Sequence, residues 1–247
     1  YVDRQINTIV VSSEYNQLPI LKKAKAENYS GLEALVFTND IPDNYLPYLK
    51  MIASVNPQIN LLFNTDDSVS AITSYLGKAD FFSPRQVTIS LTESQFPLLS
   101  KWGKTECLYL SLDDSLVANQ LPAMPALSQL ILVENKKTMI APSFLENNKQ
   151  ITRVTLIGDH GNLSILKPLY KLEELSVMGD DSLDILNLLA FSGHLSSLVL
   201  MGTWRNVDLL TNFKKLRWLG LPENTSQYQF SNIVHTLPGV EILEMAG

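Results

Sequence analysis

The residues whose types could do chemistry are three histidines, one cysteine and several adjacent acids. His160, His194 and His235 could ligate a metal or move protons, but they stand far apart, with none of the spacings that bring two imidazoles to one ion. Asp159-His160 falls just after an apolar run, where a turn needs polar groups anyway. The pairs Asp66-Asp67, Asp113-Asp114 and Asp180-Asp181 suggest calcium at first sight. They lack the spaced oxygen ligands and the fixed glycine of a calcium loop, and they read as turn caps. Cys107 could act as a nucleophile, yet no motif supplies a histidine or asparagine partner. There is no glycine-rich phosphate loop and no G-x-S-x-G elbow. Three Asn-x-Ser/Thr triplets, at Asn28, Asn162 and Asn224, fit the glycosylation acceptor by chance in a chain rich in asparagine. The sequence therefore implies no catalytic set, no metal and no cofactor, and what remains to be found is a binding surface.

The elements that would position such a surface are written three times over. Leu172-Glu-Glu-Leu175-Ser-Val177-Met-Gly-Asp180 is followed by Leu195-Ser-Ser-Leu198-Val-Leu200-Met-Gly-Thr203 and by Leu216-Arg-Trp-Leu219-Gly-Leu221-Pro-Glu-Asn224, starting 23 and 21 residues apart. Each block reads L-x-x-L-x-L-x-x-(N/D/T). The alternating centre is a short strand with one buried face, and the polar ninth residue suits the place where the chain turns away. One unit cannot bury its apolar face alone, so neighbours must stack.

Extending the pattern gives eleven blocks, starting at Ile6, Leu32, Asn56, Pro84, Thr105, Leu127, Ile151, Leu172, Leu195, Leu216 and Val240. Fourth and sixth positions are apolar throughout, from Ile9/Val11 to Leu243/Met245. The ninth is polar in all ten blocks that reach it, including Thr203 and Asn224. Asn56, Pro84 and Thr105 break the rule for the first residue. Between strands, Tyr45–Val55 and Val69–Leu76 carry helical spacing, as does Leu183–Phe191 through Leu183, Leu186 and Leu189. Asp43, Asp67 and either Asp181 or Ser182 are the expected N-caps. Shorter returns such as Asn206–Leu216 have room only for a turn or a 3₁₀ segment.

Alternation turns the third, fifth and seventh positions to the open face. The seventh is apolar in four consecutive blocks: Val133, Ile157, Met178 and Met201. Ile131 and Val199 flank that row at the fifth position, with Tyr109 earlier in the same column. The third position contributes Arg153, Glu174 and Trp218. These ten residues are the candidate partner-binding site, since contiguous exposed apolar groups mark interfaces.

Over nearly its whole length the pattern resembles the leucine-rich repeat superfamily. That resemblance implies an α/β solenoid with a curved parallel sheet inside, helices and short turns outside, and a concave face that binds protein. The irregular repeat lengths and missing disulfide caps look like bacterial repeat proteins, including effectors delivered into host cells, whose setting would be the host cytosol.

Composition sets the outer bounds. Apolar residues are 45% and charged residues 18% of 247, a globular balance. A net charge of −6 and a pI near 5.1 argue against nucleic acid as partner, and no apolar run is long enough for membrane insertion. A single cysteine points to a reducing compartment, such as the cytosol. With no linker or shift in composition, residues 1–247 read as one domain of about eleven repeats. The start at Tyr1 and the last block cut short at Gly247 point to a piece of a longer protein. The expected function is a non-catalytic scaffold for a protein partner; the alternative is the substrate-recognition part of a larger enzyme, such as a ubiquitin ligase or protease, whose catalytic part lies elsewhere.

Overall fold

Apolar alternation becomes strand in all eleven blocks, and the eleven strands form one parallel sheet in chain order. The computed structural model describes residues 7–12, 21, 29–38, 41–64, 77–91, 93–112, 117–118, 120–134, 139–158, 163–179 and 182–245. The protein is α/β, and it divides into two compact units: residues 1–111 with 122–127, and residues 112–121 with 128–247. Among the described residues no helix is long and apolar enough to cross a membrane.

In the first unit, β1 (Thr8–Ser12), β2 (Ala34–Thr38), β3 (Asn60–Asn64), β4 (Gln86–Leu91) and β5 (Cys107–Leu112) alternate half-exposed and buried residues. Val11, Leu35, Phe37, Leu61, Phe63, Val87 and Ile89 point inward. Phe37 stacks on Phe63 at 5.0 Å, and Phe63 on Trp102 at 5.6 Å, a ladder of rings that ties two strands to a return segment. Thr105, which breaks the leucine rule, is buried and donates its hydroxyl to Pro84 O at 3.0 Å, so the substitution is satisfied one block back.

In the second unit, β7 (Gln129–Glu134), β9 (Arg153–Gly158), β10 (Glu174–Met178), β12 (Ser197–Leu200), β14 (Trp218–Leu221) and β15 (Ile242–Met245) follow the same plan. Two short parallel pairs lie off the main sheet: β6 (Val117–Ala118) with β8 (Met139–Ile140), and β11 (Leu183–Asp184) with β13 (Trp204–Arg205). Leu130, Leu132, Val154, Leu156, Leu175, Val177, Leu198, Leu200, Leu219 and Leu221 are all buried. A recurrent backbone device aligns the strands. The N–H groups of Thr152 and Arg153 both donate to Ser128 O; Glu173 and Glu174 share Thr152 O, Ser196 and Ser197 share Glu173 O, and Arg217 and Trp218 share Ser196 O. The second residue of each block thus offers one carbonyl to two N–H groups of the next.

Return segments are mostly 3₁₀, and their buried residues recur every three. Phe96, Leu99 and Trp102 are buried in Glu93–Trp102, Ile185, Leu188 and Phe191 in Ile185–Phe191, and Val207, Leu210 and Phe213 in and just after Val207–Asn212. A 3₁₀ turn has three residues, so such triads lie on one line.

Several expectations are corrected. The third block is displaced by two residues: Leu35 and Phe37 pair with Leu61 and Phe63, not with Ile59 and Leu61. Side-chain alternation has period two, so a slip of two leaves every residue on its face and alternation cannot detect it. Of the expected stripe Leu183 is buried, Leu189 half-buried and Leu186 exposed, and within the 3₁₀ segment Ile185–Phe191 the inward residues are Ile185, Leu188 and Phe191. Asp43 caps nothing by side chain; it lies in a 3₁₀ turn before helix Leu46–Val55 and pairs with Lys78 at 2.9 Å. Asp184, not Ser182, caps Ile185–Phe191, accepting from Leu186 N. Helix Gln227–Thr236 went unforeseen, although Ser226 and Gln229 form a capping box. Met245, expected in the core, is 54% exposed because β15 is the outer strand of the sheet. The expected helix Val69–Leu76 and the acids Asp67 and Asp181 lie outside the described residues.

Two outcomes test this packing. Gly158, Gly179 and Gly202 occupy the eighth position of successive blocks, and a Cβ on Gly202 (φ +80°) would sit 2.1 Å from Gly179 O. Gly202→Ala should cost about 1–3 kcal/mol in urea unfolding. Gly193→Ala, with nothing within 4 Å, should instead gain about 0.4–1 kcal/mol. Separately, the Asn206 amide and then the Leu186 N–H hold the Asp184 carboxyl below its ordinary range. A depressed carboxyl stabilises fully above the ordinary aspartate range, and that share is lost as pH falls through its lowered value. Protection of the Leu186 N–H against hydrogen exchange, taken relative to the intrinsic exchange rate at each pH, should therefore fall in acid, and Asp184→Ala should leave that protection low and independent of pH over the same range.

Candidate functional site

The strand register that buries the leucines also sets out the opposite face in rows. Val133 pairs with Ile157 and Ile157 with Met178. Met201 continues that row, its N–H donating to Val177 O at 2.9 Å. The middle row runs Ile131, Thr155, Ser176, Val199, Gly220, Glu244. The first runs Gln129, Arg153, Glu174, Ser197, Trp218, Ile242. Nine of the ten residues read from sequence therefore share one face of the second unit, with neighbours in a row about 4.8 Å apart. Tyr109 belongs to the first unit, half-exposed between the buried Leu108 and Leu110.

None of the ten is buried. Met201 is 38% and Trp218 41% exposed, while Val133, Ile157, Met178, Ile131 and Val199 are half-buried among their row neighbours. Arg153 Nε lies 3.2 Å from Glu174 Oε1, so the two charges answer one another. Both are about half exposed, and such a pair is worth at most about 1 kcal/mol.

Fixed backbone supports the apolar row. The buried Trp204 indole donates to Met201 O at 3.0 Å. Asn224, the polar ninth residue of the next block, accepts from Trp204 N at 3.0 Å and donates to Trp204 O at 2.8 Å. The Asn224 side chain thus holds Trp204, and Trp204 holds the end of the row. Gly220 leaves room in the middle row: a Cβ there would lie 2.9 Å from Val199 Cγ1. Sequence reasoning missed Ile242, 44% exposed beside Trp218. The signal was its third position in the last block.

The residues first considered for chemistry do not converge. Among the described residues no group of three or more His, Cys, Asp or Glu side chains could hold a metal ion. Cys107 is half-buried, and burial pushes its thiol pKa up, which lowers its thiolate fraction. His194 borders a groove at the edge where the strands begin, and His235 is exposed on helix Gln227–Thr236. Asp66-Asp67, Asp113-Asp114, Asp159-His160 and Asp180-Asp181 lie outside the described residues, as do Asn28 and Asn162. Comparison with known proteins finds no family model that matches the chain and no matching curated protein.

Methionine oxidation reports the exposure directly. With dilute peroxide, Met245 and Met201 should convert to sulfoxide first, Met178 more slowly, and Met124, which is 0% exposed, only on unfolding. Peptide mass mapping that finds Met201 as protected as Met124 would place the row inside the core.

Proposed function

We propose that the chain is a leucine-rich repeat solenoid that binds a protein partner through the open face of its parallel sheet, without chemistry of its own in this stretch. The observation that carries the reading is the row Val133, Ile157 and Met178, continued by Met201, with Trp218 and Ile242 on the same face in the row of third positions. Consecutive strands each offer one apolar side chain outward, and a partner laid across them would withdraw a continuous strip from water, at about 25 cal/mol per Å². Unbranched Met178 and Met201 can follow an imperfect partner surface, and Trp218 supplies a large anchor in the third-position row of the same face. The Arg153–Glu174 pair lies at the margin, where charge directs orientation and encounter more than affinity. The one-block-per-strand order and the backbone sharing between blocks support the repeat reading.

The test is Met178→Glu with Met201→Glu. Neither side chain belongs to the buried ladder, so the double variant should keep the native circular dichroism and unfolding midpoint. A protein retained by the immobilised native chain should be lost by this variant, with affinity falling at least about 30-fold. A control variant, Lys104→Gln, should retain it. Equal retention by the double variant would remove the row from the site, and loss of folding would show these residues to be core.

A further inference from the structure

A second surface of the second unit has the opposite character. The whole chain carries a net charge of −6, yet a groove of about 600 Å³ along the edge where β10, β12 and β14 begin is lined by His194, Lys214, Lys215 and Arg217 against one acid, Glu173. Its shape follows from the blocks. Glu173, Ser196 and Arg217 are the second residues of three successive blocks, joined by the shared carbonyls. His194 and Lys215 each stand one residue before the first leucine. Gly239 holds that place in the next block, and with no side chain it leaves the groove's far end low.

Several described cations elsewhere meet a carboxylate closely: Lys78 with Asp43 at 2.9 Å, Arg85 with Glu106 at 2.8 Å, Lys149 with Glu146 at 2.8 Å, Arg153 with Glu174 at 3.2 Å. The groove's cations are neutralised less closely. The Lys215 and His194 side chains make no hydrogen bond or ion pair among the described residues. Lys214 Nζ donates to a neutral acceptor, Thr236 O, at 3.3 Å. Arg217 reaches Glu241 only at 4.0 Å and keeps its side chain 74% exposed. Positive charge held in a concave site and left unanswered draws an anion.

We propose that this groove is a separate binding site for an acidic peptide segment in extended conformation. Its carboxylates would meet Lys214, Lys215 and Arg217, the guanidinium able to grip one of them in two parallel hydrogen bonds. The groove crosses three strands, on the order of 10 Å, a length that about three residues of extended peptide cover and that a single small anion does not. Glu173 at one end and Glu241 beside Arg217 repel a uniform polyanion, so duplex nucleic acid or an anionic membrane fits this charge pattern less well than a peptide with acids at one end only. The site lies where the strands begin, one residue before the row of Glu174 and Trp218 and five before the apolar seventh-position row, and stands whether or not the open face binds a partner.

The probe is a fluorescein-labelled peptide with two glutamates spaced by one glycine at one end and only serine and glycine beyond them, titrated with the whole chain and followed by anisotropy. Saturable binding is expected, weakened about tenfold or more by Lys214→Gln with Lys215→Gln and by Arg217→Gln, and weakened by raising salt from about 50 to 300 mM. These side chains are exposed, so circular dichroism should show the variants folded, and Lys104→Gln should bind like the native chain. No saturable binding, or binding that ignores the groove substitutions, would overturn the proposal. So would tighter binding of a short RNA duplex or of phosphatidylserine vesicles lost with the same substitutions, which would reassign the groove to polyanions.

Discussion

The carbonyl of the second residue in each block accepts two N–H groups from the block that follows, and the rest of the second unit depends on that sharing. A lone strand of four to six residues has no internal partner for its backbone groups, and buried polar groups must be paired. The partner here is always the strand one block away. Thr152 and Arg153 on Ser128 O, then Glu173 and Glu174 on Thr152 O, fix where each strand starts relative to the last. With the start fixed, the fourth and sixth residues of neighbours fall opposite one another and bury together, Leu175 beside Leu198 and Val177 beside Leu200. The same constraint places the seventh residues in a straight row on the other face. Core and candidate site are two sides of one register.

Legibility in the sequence follows from which interactions repeat. The Leu-x-Leu centres are readable because every strand needs the same two buried residues, and even irregular blocks such as that at Thr105 keep them. The third block shows the limit: Ile59, Leu61 and Phe63 all alternate inward, so periodicity leaves two registers open and only pairing with Leu35 and Phe37 chooses. Return segments offer two stripes at nearly the same period. Leu183, Leu186 and Leu189 form one, of which only Leu183 is buried, whereas inside the 3₁₀ segment burial follows the triad that ends in an aromatic, Ile185, Leu188 and Phe191. The glycines at 158, 179 and 202 share the eighth position for a reason only the structure supplies, the close approach of successive backbones.

The candidate site was legible to the extent that it follows from alternation. Nine residues on one face needed only the period of two and the block starts. Ile242 holds the third position of the last block, beside Trp218, and belongs to the same pattern. Trp204 and Asn224, which hold Met201 in place, could be read only as a buried apolar residue and a polar ninth residue; their mutual hydrogen bonds join parts of the chain 20 residues apart. The basic groove was the least legible. Its charges come from three separate return segments and strand starts, and in a chain of net negative charge nothing local marks them as a group.

Cross-linking tests the register most directly. In a Cys107→Ser background, Ile157→Cys with Met178→Cys places two thiols on directly paired residues of β9 and β10, with Cα atoms about 4.8 Å apart and so within disulfide range. Ile157→Cys with Ser176→Cys sits on the same face but one step out of register, about 8 Å apart. Mild oxidation should close the first pair rapidly and leave the second as free thiols. A disulfide that forms in the second pair in preference to the first, or thiols of the first pair that stay reactive and unlinked, would contradict the register on which both the core and the open face depend.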